Sequence, residues 1–527
     1  MSRKKSALDE GDDPSQSIPF DYEAYCTGDL LPLVNWLNGK VLTLEGYRKA
    51  RPSSIQKVDD ASSVIIKNLI AAVAVSPRCF LAISLDRGSY TKTRYRPIQL
   101  SYDWMVKVLD YLINAKPPLV AFVPGFSDPR SGIGKRTRIK ATRHFVSLLK
   151  RYGVIVANDP HCKTKNLDRD LNPVPLGVPV VLPVHWSKGL KRHELIRLKN
   201  AEGKLVEYQD DELTNGMRDR LNTLNKFIAD HFHADLLLTD EKIEKLYSTE
   251  AEDAEQRVYS FYSDDRDRPR FVQFNRHQLY RVFNNGSFDE GGRFYGAWWQ
   301  QIPSKFRPYI TINDLPTQEF DYSNLHPAMM YAKEGKKLQD DAYVLPGLKE
   351  YRKLVKTTFF KMMNAYEGQR IDPPTAGSLP PNVSWDDLQG MILEKHAAIS
   401  HRLKSGDGIR LQKMDADIAE DVMLSMMKRD YLALPIHDSF VTYNGLGPII
   451  IEEMKRAYRS RINSEIDVDA DVSFLDLELP NQAPEDFDVE GFFRERSDMP
   501  GYDGYRARLR QFFGTRTEGW QNRFGFE

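Results

Sequence analysis

Two aspartates stand at the ends of apolar, strand-like segments, 117 positions apart in the sequence. Asp321 lies in EFDYSNLHPAMMY, and Asp438 lies between the apolar residues of LALPIHDSFVTY. Carboxylate oxygens are the ligands that hard divalent cations such as Mg²⁺ prefer. Two such ions, about 3.5–4 Å apart, stabilise the attacking and leaving oxygens in phosphoryl transfer. The pair therefore predicts a two-metal site, with Asp321 and Asp438 as the metal ligands.

A basic helix is predicted between the two aspartates, over Leu348–Tyr366. Four of its residues recur at intervals of four and share one helix face: Arg352, Lys356, Phe360 and Asn364. Two cations one turn apart suit a triphosphate, and catalysis of phosphoryl transfer is mostly positioning and electrostatic stabilisation. Taken alone, such a helix is more often a solvated basic face, so this interpretation depends on the aspartates around it.

Each aspartate has a predicted hairpin to position it. The segment YITINDLPTQEFDY indicates two strands with a turn at Asn313-Asp314, which places Asp321 near the end of the second strand. A helix is expected to begin near Asn324, with Pro327 in its first turn. The segment LALPIHDSFVTY indicates a strand, a tight turn at Asp438 and a second strand. Taken singly, such an aspartate is more often a helix cap, for Asp321, or an Asx turn, for Asp438.

In their order and spacing these segments resemble the palm and fingers of template-dependent polymerases. The nearest are family A DNA polymerases and single-subunit RNA polymerases, and the resemblance covers residues 285–476. The matching motifs are Gly292-Arg293 in GGRFYGAWWQQIP, motif A in DYSNLHP, the basic helix, the Gln-containing LQKMDADI, and motif C in His437-Asp438.

The resemblance implies a role for each matched residue. Asp321 and Asp438 would hold two Mg²⁺ ions, with Mn²⁺ as an alternative, and Lys356 would be catalytic by protonating the leaving group. Six residues would contact the incoming nucleotide: Arg352, Lys356, Phe360, His326, Asn364 and Tyr322. Three would contact the primer–template: Arg293, Gln412 and His437. For His326 and His437 the alternatives are helix packing and fixing of the turn.

Departures from the family A pattern bear on the substrate. Ser439 follows Asp438 where family A has Glu, as in single-subunit RNA polymerases, and Asn364 replaces a Tyr. His326 stands where family A has the Glu that screens against a ribose 2′-OH. Leu325-His326-Pro327 is instead similar to the Leu-Tyr-Pro of family B, where a ring screens the sugar.

A bulky ring at position 326 favours deoxynucleotides. The expected function is therefore that of a DNA-directed DNA polymerase, a nucleotidyltransferase that extends a 3′-OH in replication or repair of a mobile element. Its expected partners are primer–template nucleic acid and nucleoside triphosphates. One alternative is a single-subunit RNA polymerase or primase-polymerase, and another is a non-catalytic, DNA-binding replication initiator.

The N-terminal half offers a second candidate nucleic-acid site. Its order of elements is that of a winged helix, with helices near 61–75 and 104–114 followed by strands near 119–123 and 135–140. Residues 130–151 contain eight basic residues and no acidic one. Five of them belong to the hairpin: Arg130, Lys135, Arg136, Arg138 and Lys140. This stripe predicts phosphate contacts, and a charged edge that blocks strand pairing is the alternative.

The predicted fold class is α+β, with an antiparallel palm sheet and compact helical fingers preceded by a winged-helix-like domain. Five segments are expected: a disordered tail (1–39), the winged-helix-like domain (40–160), a connecting, thumb-like helical region (161–270), palm and fingers (271–476), and an acidic linker with an Arg/aromatic tail (477–527).

Composition limits the function classes only broadly. The 527 residues include 74 Lys+Arg and 74 Asp+Glu, so net charge neither supports nor excludes nucleic acid. Three cysteines without paired spacing exclude a disulfide scaffold or a cysteine zinc site, and suit a cytoplasmic protein. No apolar run approaches about 18 residues, so no membrane contact is expected.

Overall fold

The computed structural model describes nine main stretches of the chain: 30–47, 49–76, 78–91, 100–127, 134–152, 194–246, 276–374, 377–479 and 488–513. Shorter described pieces are 6, 8–10, 12–14, 17–22, 93–95, 166–167, 173–174, 272–274 and 520. The chain divides into two compact units. The first comprises Met1–Glu194, Leu237–Asn275 and Arg494–Thr517, and the second comprises Leu195–Leu236, Arg276–Phe493 and Glu518–Glu527.

A four-stranded sheet organises the first unit. Its strands, in spatial order, are Ser17–Pro19, Phe80–Ile83, Thr137–Ala141 and Val120–Val123. The first two strands are parallel, and the other neighbours are antiparallel. Phe80–Ile83 is apolar and buried at every position, as expected for an inner strand covered on both faces.

Helices supply much of the core of the first unit. They are Leu31–Leu44, Pro52–Val75, Tyr102–Asn114, Arg143–Arg151, Asp240–Lys245 and Asp503–Phe513. The longest begins with Pro52, whose missing N–H is tolerated in a first turn. Val34, Leu69 and Ile139 have no exposed surface and belong to one apolar cluster of these helices and the sheet.

The hairpin of this unit was predicted from the sequence. Both ends of the chain were expected to be tails, but they contain strands or helices. Strands 120–123 and 137–141 pair as expected, within a sheet that also contains residues 17–19. The expected tail over residues 1–39 thus includes a strand and the start of a helix, because Ile18 and Phe20 are apolar and buried. The expected C-terminal tail includes two helices, and Arg508 is buried, 3.8 Å from the centroid of the Phe274 ring.

The basic stripe of the hairpin is exposed only in part. Arg136 is exposed, whereas Arg138 and Lys140 retain 8% and 4% of their surface. The Lys140 ammonium lies 2.6 Å from Asp12 and 3.3 Å from Asp9. The prediction that Arg138 and Lys140 contact phosphate is wrong, because both are buried and Lys140 is neutralised inside the unit. Arg130 lies outside the described residues, as does the side chain of Lys135.

Removal of the Lys140 charge is expected to destabilise the first unit. The Asp12 side chain is 1% exposed, and breaking a buried ion pair by removing one partner costs about 3–5 kcal/mol. Lys140→Met should therefore lower the urea midpoint of unfolding, while Arg136→Met at the exposed neighbouring position should change it little. Equal stability of the two variants would contradict the ion pair.

An antiparallel sheet of six strands forms the centre of the second unit. Five of its strands follow one another in the order Ala234–Leu236, Ile310–Ile312, Leu315–Tyr322, Ser439–Tyr443 and Leu434–Ile436. The sixth, Val468–Ala470, pairs with Leu315–Tyr322, which we call the Asp321 strand. A smaller sheet contains Ser287–Tyr295, Tyr280–Asn284 and Ile196–Leu198.

The helices of this unit are Glu212–His231, Leu325–Lys333, Arg352–Asn364, Trp385–Lys395, Gly408–Lys428, Gly447–Ile462 and Phe474–Glu478, with Val489–Asp498 crossing into the first unit. We call Arg352–Asn364 the basic helix and Gly408–Lys428 the long helix. The long helix packs against the strand Ser287–Tyr295 and the helix Gly447–Ile462.

Local sequence explains several of these boundaries. Asn313 and Asp314 both adopt positive φ, as a two-residue hairpin turn requires. Asp211 caps the helix Glu212–His231 through a reciprocal capping box with Thr214. The α+β class is confirmed, whereas the winged-helix and palm assignments stay predictions. Among the described residues, every helix is too short or too polar to cross a bilayer.

Candidate active site

Sheet register brings the two predicted metal ligands together. Asp321 pairs directly with Ser439, the residue that follows Asp438. Directly paired residues have Cα atoms about 4.5–5.5 Å apart, and consecutive Cα atoms are about 3.8 Å apart. The Cα atoms of Asp321 and Asp438 therefore lie within about 9 Å of each other. His437, with φ of 60°, makes the tight turn that places Asp438 at the end of its hairpin.

Asp321 lies in an environment that disfavours its charge. Burial raises the pKa of Asp321 well above its ordinary value, and the charges of Asp438 and Glu319 raise it further, while Lys356 lowers it. Within the described part of the chain, the buried Oδ1 atom of Asp321 has no hydrogen-bond partner. A buried carboxylate oxygen without a donor, beside a second acid, fits a divalent cation.

The described residues contain no group of three His, Cys, Asp or Glu side chains that could hold a metal ion. A cation at this site would therefore rest on the two carboxylates of Asp321 and Asp438. Its remaining coordination would come from backbone, solvent or substrate oxygens, as is common for Mg²⁺.

Glu319 is the acid next to this pair, and its carboxylate already accepts hydrogen bonds from two other side chains. It lies two residues before Asp321 and so on the same face of the strand. Arg307 donates to Glu319 Oε1 at 2.9 Å, and the Ser439 hydroxyl donates to the same oxygen. Ser439, which the sequence marked only as a departure from family A, thus ties the two aspartate strands together.

A third strand that carries acidic residues lies beside the pair, and this strand was not predicted from the sequence. In the strand Val468–Ala470, Asp469 pairs directly with Asp321, which puts their side chains on one face. The exposed Asp471 also raises the pKa of Asp321. The alternation of acidic residues in DVDAD was the available signal for this strand.

The basic helix places its two cations over one aromatic ring. Arg352 and Lys356 lie 5.4 Å and 5.8 Å from the centroid of the Tyr343 ring. Arg352 Nε also donates to Asp341 Oδ2 at 2.7 Å. Lys356 also lowers the pKa of Asp321, and the contact of this helix with a triphosphate stays a prediction. Tyr343 and Asp341 carried no signal in the sequence, because neither belongs to a motif.

A second cluster centres on the buried Asp415 of the long helix. Its carboxylate accepts hydrogen bonds from Arg293 Nε at 3.1 Å and from His326 Nε2 at 2.8 Å. Burial alone would raise the pKa of Asp415, but Arg293 and His326 outweigh it and the pKa is lowered. Burial would likewise lower the pKa of Arg293, but the attraction of Asp415, with a smaller contribution from Asp438, raises it.

His437 remains neutral near pH 7. Burial and then the charge of Arg293 lower the pKa of His437 to about 4, against the opposing effects of Asp438 and Asp415. Its ring also meets Tyr295 edge to face at 6.1 Å. These contacts favour the interpretation in which His437 fixes the turn.

Three other residues with predicted ligand contacts are buried or hydrogen-bonded within the protein. Tyr322 is wrong as a nucleotide contact, because strand alternation turns it to the opposite sheet face, where its hydroxyl donates to the Met454 carbonyl at 2.8 Å. Asn364 Nδ2 donates back to the Phe360 carbonyl at 2.8 Å. Gln412 is buried in the long helix, and its contact with nucleic acid stays a prediction.

Comparison with known proteins gives a distant likeness. No family model matches the chain, and no curated protein matches it significantly. Among solved structures, it is similar to the POL domain of Pol1 from M. smegmatis in complex with DNA primer-template and dNTP. That match has a TM-score of 0.25 and 12% identity, and covers 49% of this chain and 64% of that chain, less than two thirds of its length. A likeness of this extent assigns neither family nor activity.

Loss of the Asp321 charge is expected to stabilise the cation-free protein. The pKa of Asp321 is raised, so stability should fall as the pH rises through that pKa, and asparagine removes this effect. At pH 8 in EDTA, Asp321→Asn should raise the Tm, by about 2–4 °C for each kcal/mol gained. Mg²⁺ should raise the Tm of the wild type more than that of the variant.

Asp289→Asn is the matched control, since Asp289 is an exposed aspartate of the same unit. It should leave both the Tm and its response to Mg²⁺ nearly unchanged. A lower Tm of Asp321→Asn in EDTA would contradict the electrostatic description of the site.

Proposed function

We propose that the second unit is a template-dependent nucleotidyltransferase that extends a nucleic-acid 3′-OH, with deoxynucleotides as its preferred substrates. The observation that carries this proposal is the direct pairing of the Asp321 strand with the Asp438 hairpin. Lys356 interacts electrostatically with the same aspartate. Two converging carboxylates and a nearby cation are the parts that phosphoryl transfer needs.

The chain's own residues have separate tasks in this reaction. Asp321 and Asp438 would hold two Mg²⁺ ions, which when bound neutralise charge on the attacking and leaving oxygens. Arg352 and Lys356 bind the triphosphate, and Lys356 protonates the leaving pyrophosphate. The 3′-OH gives its proton to water, and its oxygen bonds to the α-phosphorus as the bond to pyrophosphate breaks.

Arg352 already has an anionic partner. It is exposed, and its guanidinium is paired with the carboxylate of Asp341 and lies over Tyr343. An incoming triphosphate carries more charge than one carboxylate and would take over this guanidinium. Asp341 therefore holds Arg352 near its working position before the nucleotide arrives.

The sugar is screened in this proposal by His326. Its ring is 3% exposed and meets the Phe360 ring edge to face at 5.8 Å. A ring that cannot move away would crowd a 2′-OH, and this supports deoxynucleotides.

An RNA polymerase or primase-polymerase is the second candidate. Ser439 favours this candidate, because it stands at the position where family A DNA polymerases carry a third acid. Its hydroxyl donates to Glu319. Extension of a primed template with either nucleotide set separates the candidates. Incorporation of ribonucleotides alone would overturn the preference for deoxynucleotides, and DNA binding without any incorporation would indicate a non-catalytic initiator.

Asp438→Asn is expected to abolish primer extension in Mg²⁺, with a loss of about 10³-fold or more in rate. Asn keeps the size of the side chain and removes one of the two carboxylate charges. Asp289→Asn, at an exposed position of the same unit, should retain full activity. Single-nucleotide extension and circular dichroism should be measured together, and equal activity of Asp438→Asn and wild type would refute the site.

Lys356→Ala is expected to lower kcat/KM for the nucleotide by about 10²-fold or more, because it removes a cation from the triphosphate site. Lys361→Ala provides the control on the same helix. The Lys361 ammonium donates to the Asp372 carbonyl at 3.1 Å and lies 5.9 Å from the centroid of the Trp385 ring, so its loss should change kcat/KM little. Comparable losses in both variants would argue against a specific role for Lys356.

A further inference from the structure

We propose that Asp415 is a positioning residue that sets the sugar specificity of the proposed polymerase, by holding His326 in one tautomer and one orientation. This inference rests on the proposed function. It adds a residue to which the sequence analysis assigned no role.

The contacts of Asp415 define which ring nitrogen of His326 carries a proton. The Asp415 side chain is fully buried, and its Oδ2 lies 2.8 Å from His326 Nε2. An ionised carboxylate only accepts hydrogen bonds, so Nε2 must carry the proton. Arg293 Nη2 lies 3.4 Å from the same nitrogen and offers no acceptor. The carboxylate thereby fixes the tautomer.

Asp415 is itself held firmly. Arg293 reaches it from the strand Ser287–Tyr295 through Nε and Nη2. That strand is anchored next to Arg293, because Arg281 Nε donates to the Gly292 carbonyl at 2.7 Å while Arg281 Nη2 binds Asp417 at 2.9 Å. A Cβ at Gly292 would lie 2.7 Å from the Phe283 ring, so the backbone here packs too closely for another residue.

The remaining nitrogen of His326 indicates a ligand. Within the described part of the chain, Nδ1 is buried and has no hydrogen-bond partner. A buried polar atom left unsatisfied costs about 1–3 kcal/mol, so a partner from a bound ligand would be favourable. A sugar hydroxyl suits this position, since it can donate to Nδ1 of a neutral ring or accept from a protonated one.

The ring has little freedom to turn away from that ligand. Asp415 binds the His326 ring through Nε2. The Phe360 ring packs against the His326 ring with an interplanar angle of 87°. Phe360 belongs to the basic helix, whose Lys356 interacts with Asp321. Because the ring would crowd a 2′-OH, Nδ1 binds the 3′-OH of the incoming nucleotide's sugar.

The test compares three nucleotide classes in single-nucleotide incorporation by the full chain. The kcat/KM is measured for deoxy-, dideoxy- and ribonucleotides with wild type, Asp415→Asn and His326→Phe. If Nδ1 binds the 3′-OH, both variants should lose about tenfold of the preference for deoxy- over dideoxynucleotides. A fall in the ratio of ribo- to deoxynucleotide incorporation in these variants would instead show that Nδ1 binds the 2′-OH, and would overturn the assignment.

His326→Phe retains an aromatic ring at this position and leaves the Arg293–Asp415 pair in place. It therefore tests the proposal even if Asp415→Asn folds poorly. Asp421→Asn is the control, because Asp421 is a partly buried acid of the same helix whose partner is Arg461 of the helix Gly447–Ile462. Its nucleotide ratios should equal those of the wild type. Unchanged ratios in Asp415→Asn and His326→Phe would overturn the proposal.

A second readout does not require activity. In ¹⁵N-histidine-labelled full chain, the His326 resonances, assigned by their loss in His326→Phe, should show a protonated Nε2 in the wild type and a mixture of tautomers in Asp415→Asn. An inactive wild type with this fixed tautomer would refute the proposed function alone. A wild type that is active but has mixed tautomers would refute only the role of Asp415.

Discussion

Mutual repulsion of closely spaced acids that are at least partly buried is the constraint on which the second unit depends. Strand pairing brings Asp321, Asp438 and Glu319 together. Burial, and then the charges of Asp438 and Glu319, raise the pKa of Asp321. Glu319 is compensated by Arg307 and Ser439, so the uncompensated charge is concentrated on the other two. A fold that gathers charge in this way is stable only because the surrounding sheet and helices over-determine the position of each strand.

The cations of this unit are divided between two tasks. Arg293 is neutralised in the interior by Asp415 and orders the short helix that begins at Leu325 through His326. Arg352, by contrast, is exposed, lies over the Tyr343 ring and is paired with a half-buried carboxylate that a stronger anion can replace. Interior pairing gives rigidity where geometry matters, and surface pairing keeps a charge available for a ligand.

Sequence alone predicted the elements that rest on local patterns. The hairpins around Asn313-Asp314 and His437-Asp438, and the basic helix, follow from turn residues and helical spacing. Non-local consequences were missed: the burial of Lys140 and the pairing of Asp469 with Asp321. Each of these is decided by which strand lies beside which, and spacing within one segment does not contain that information.

The strand Val468–Ala470 has a consequence for how the unit can be dissected. It covers Phe320, Asp321 and Tyr322 along one edge, although it follows the Asp438 hairpin by more than twenty residues. A chain truncated after the helix Gly447–Ile462 would leave that edge open, and open edges recruit strands from other molecules. Fragments that contain both aspartates but end there should self-associate, so residues 468–470 mark the minimum C-terminal extent of an independently soluble fragment.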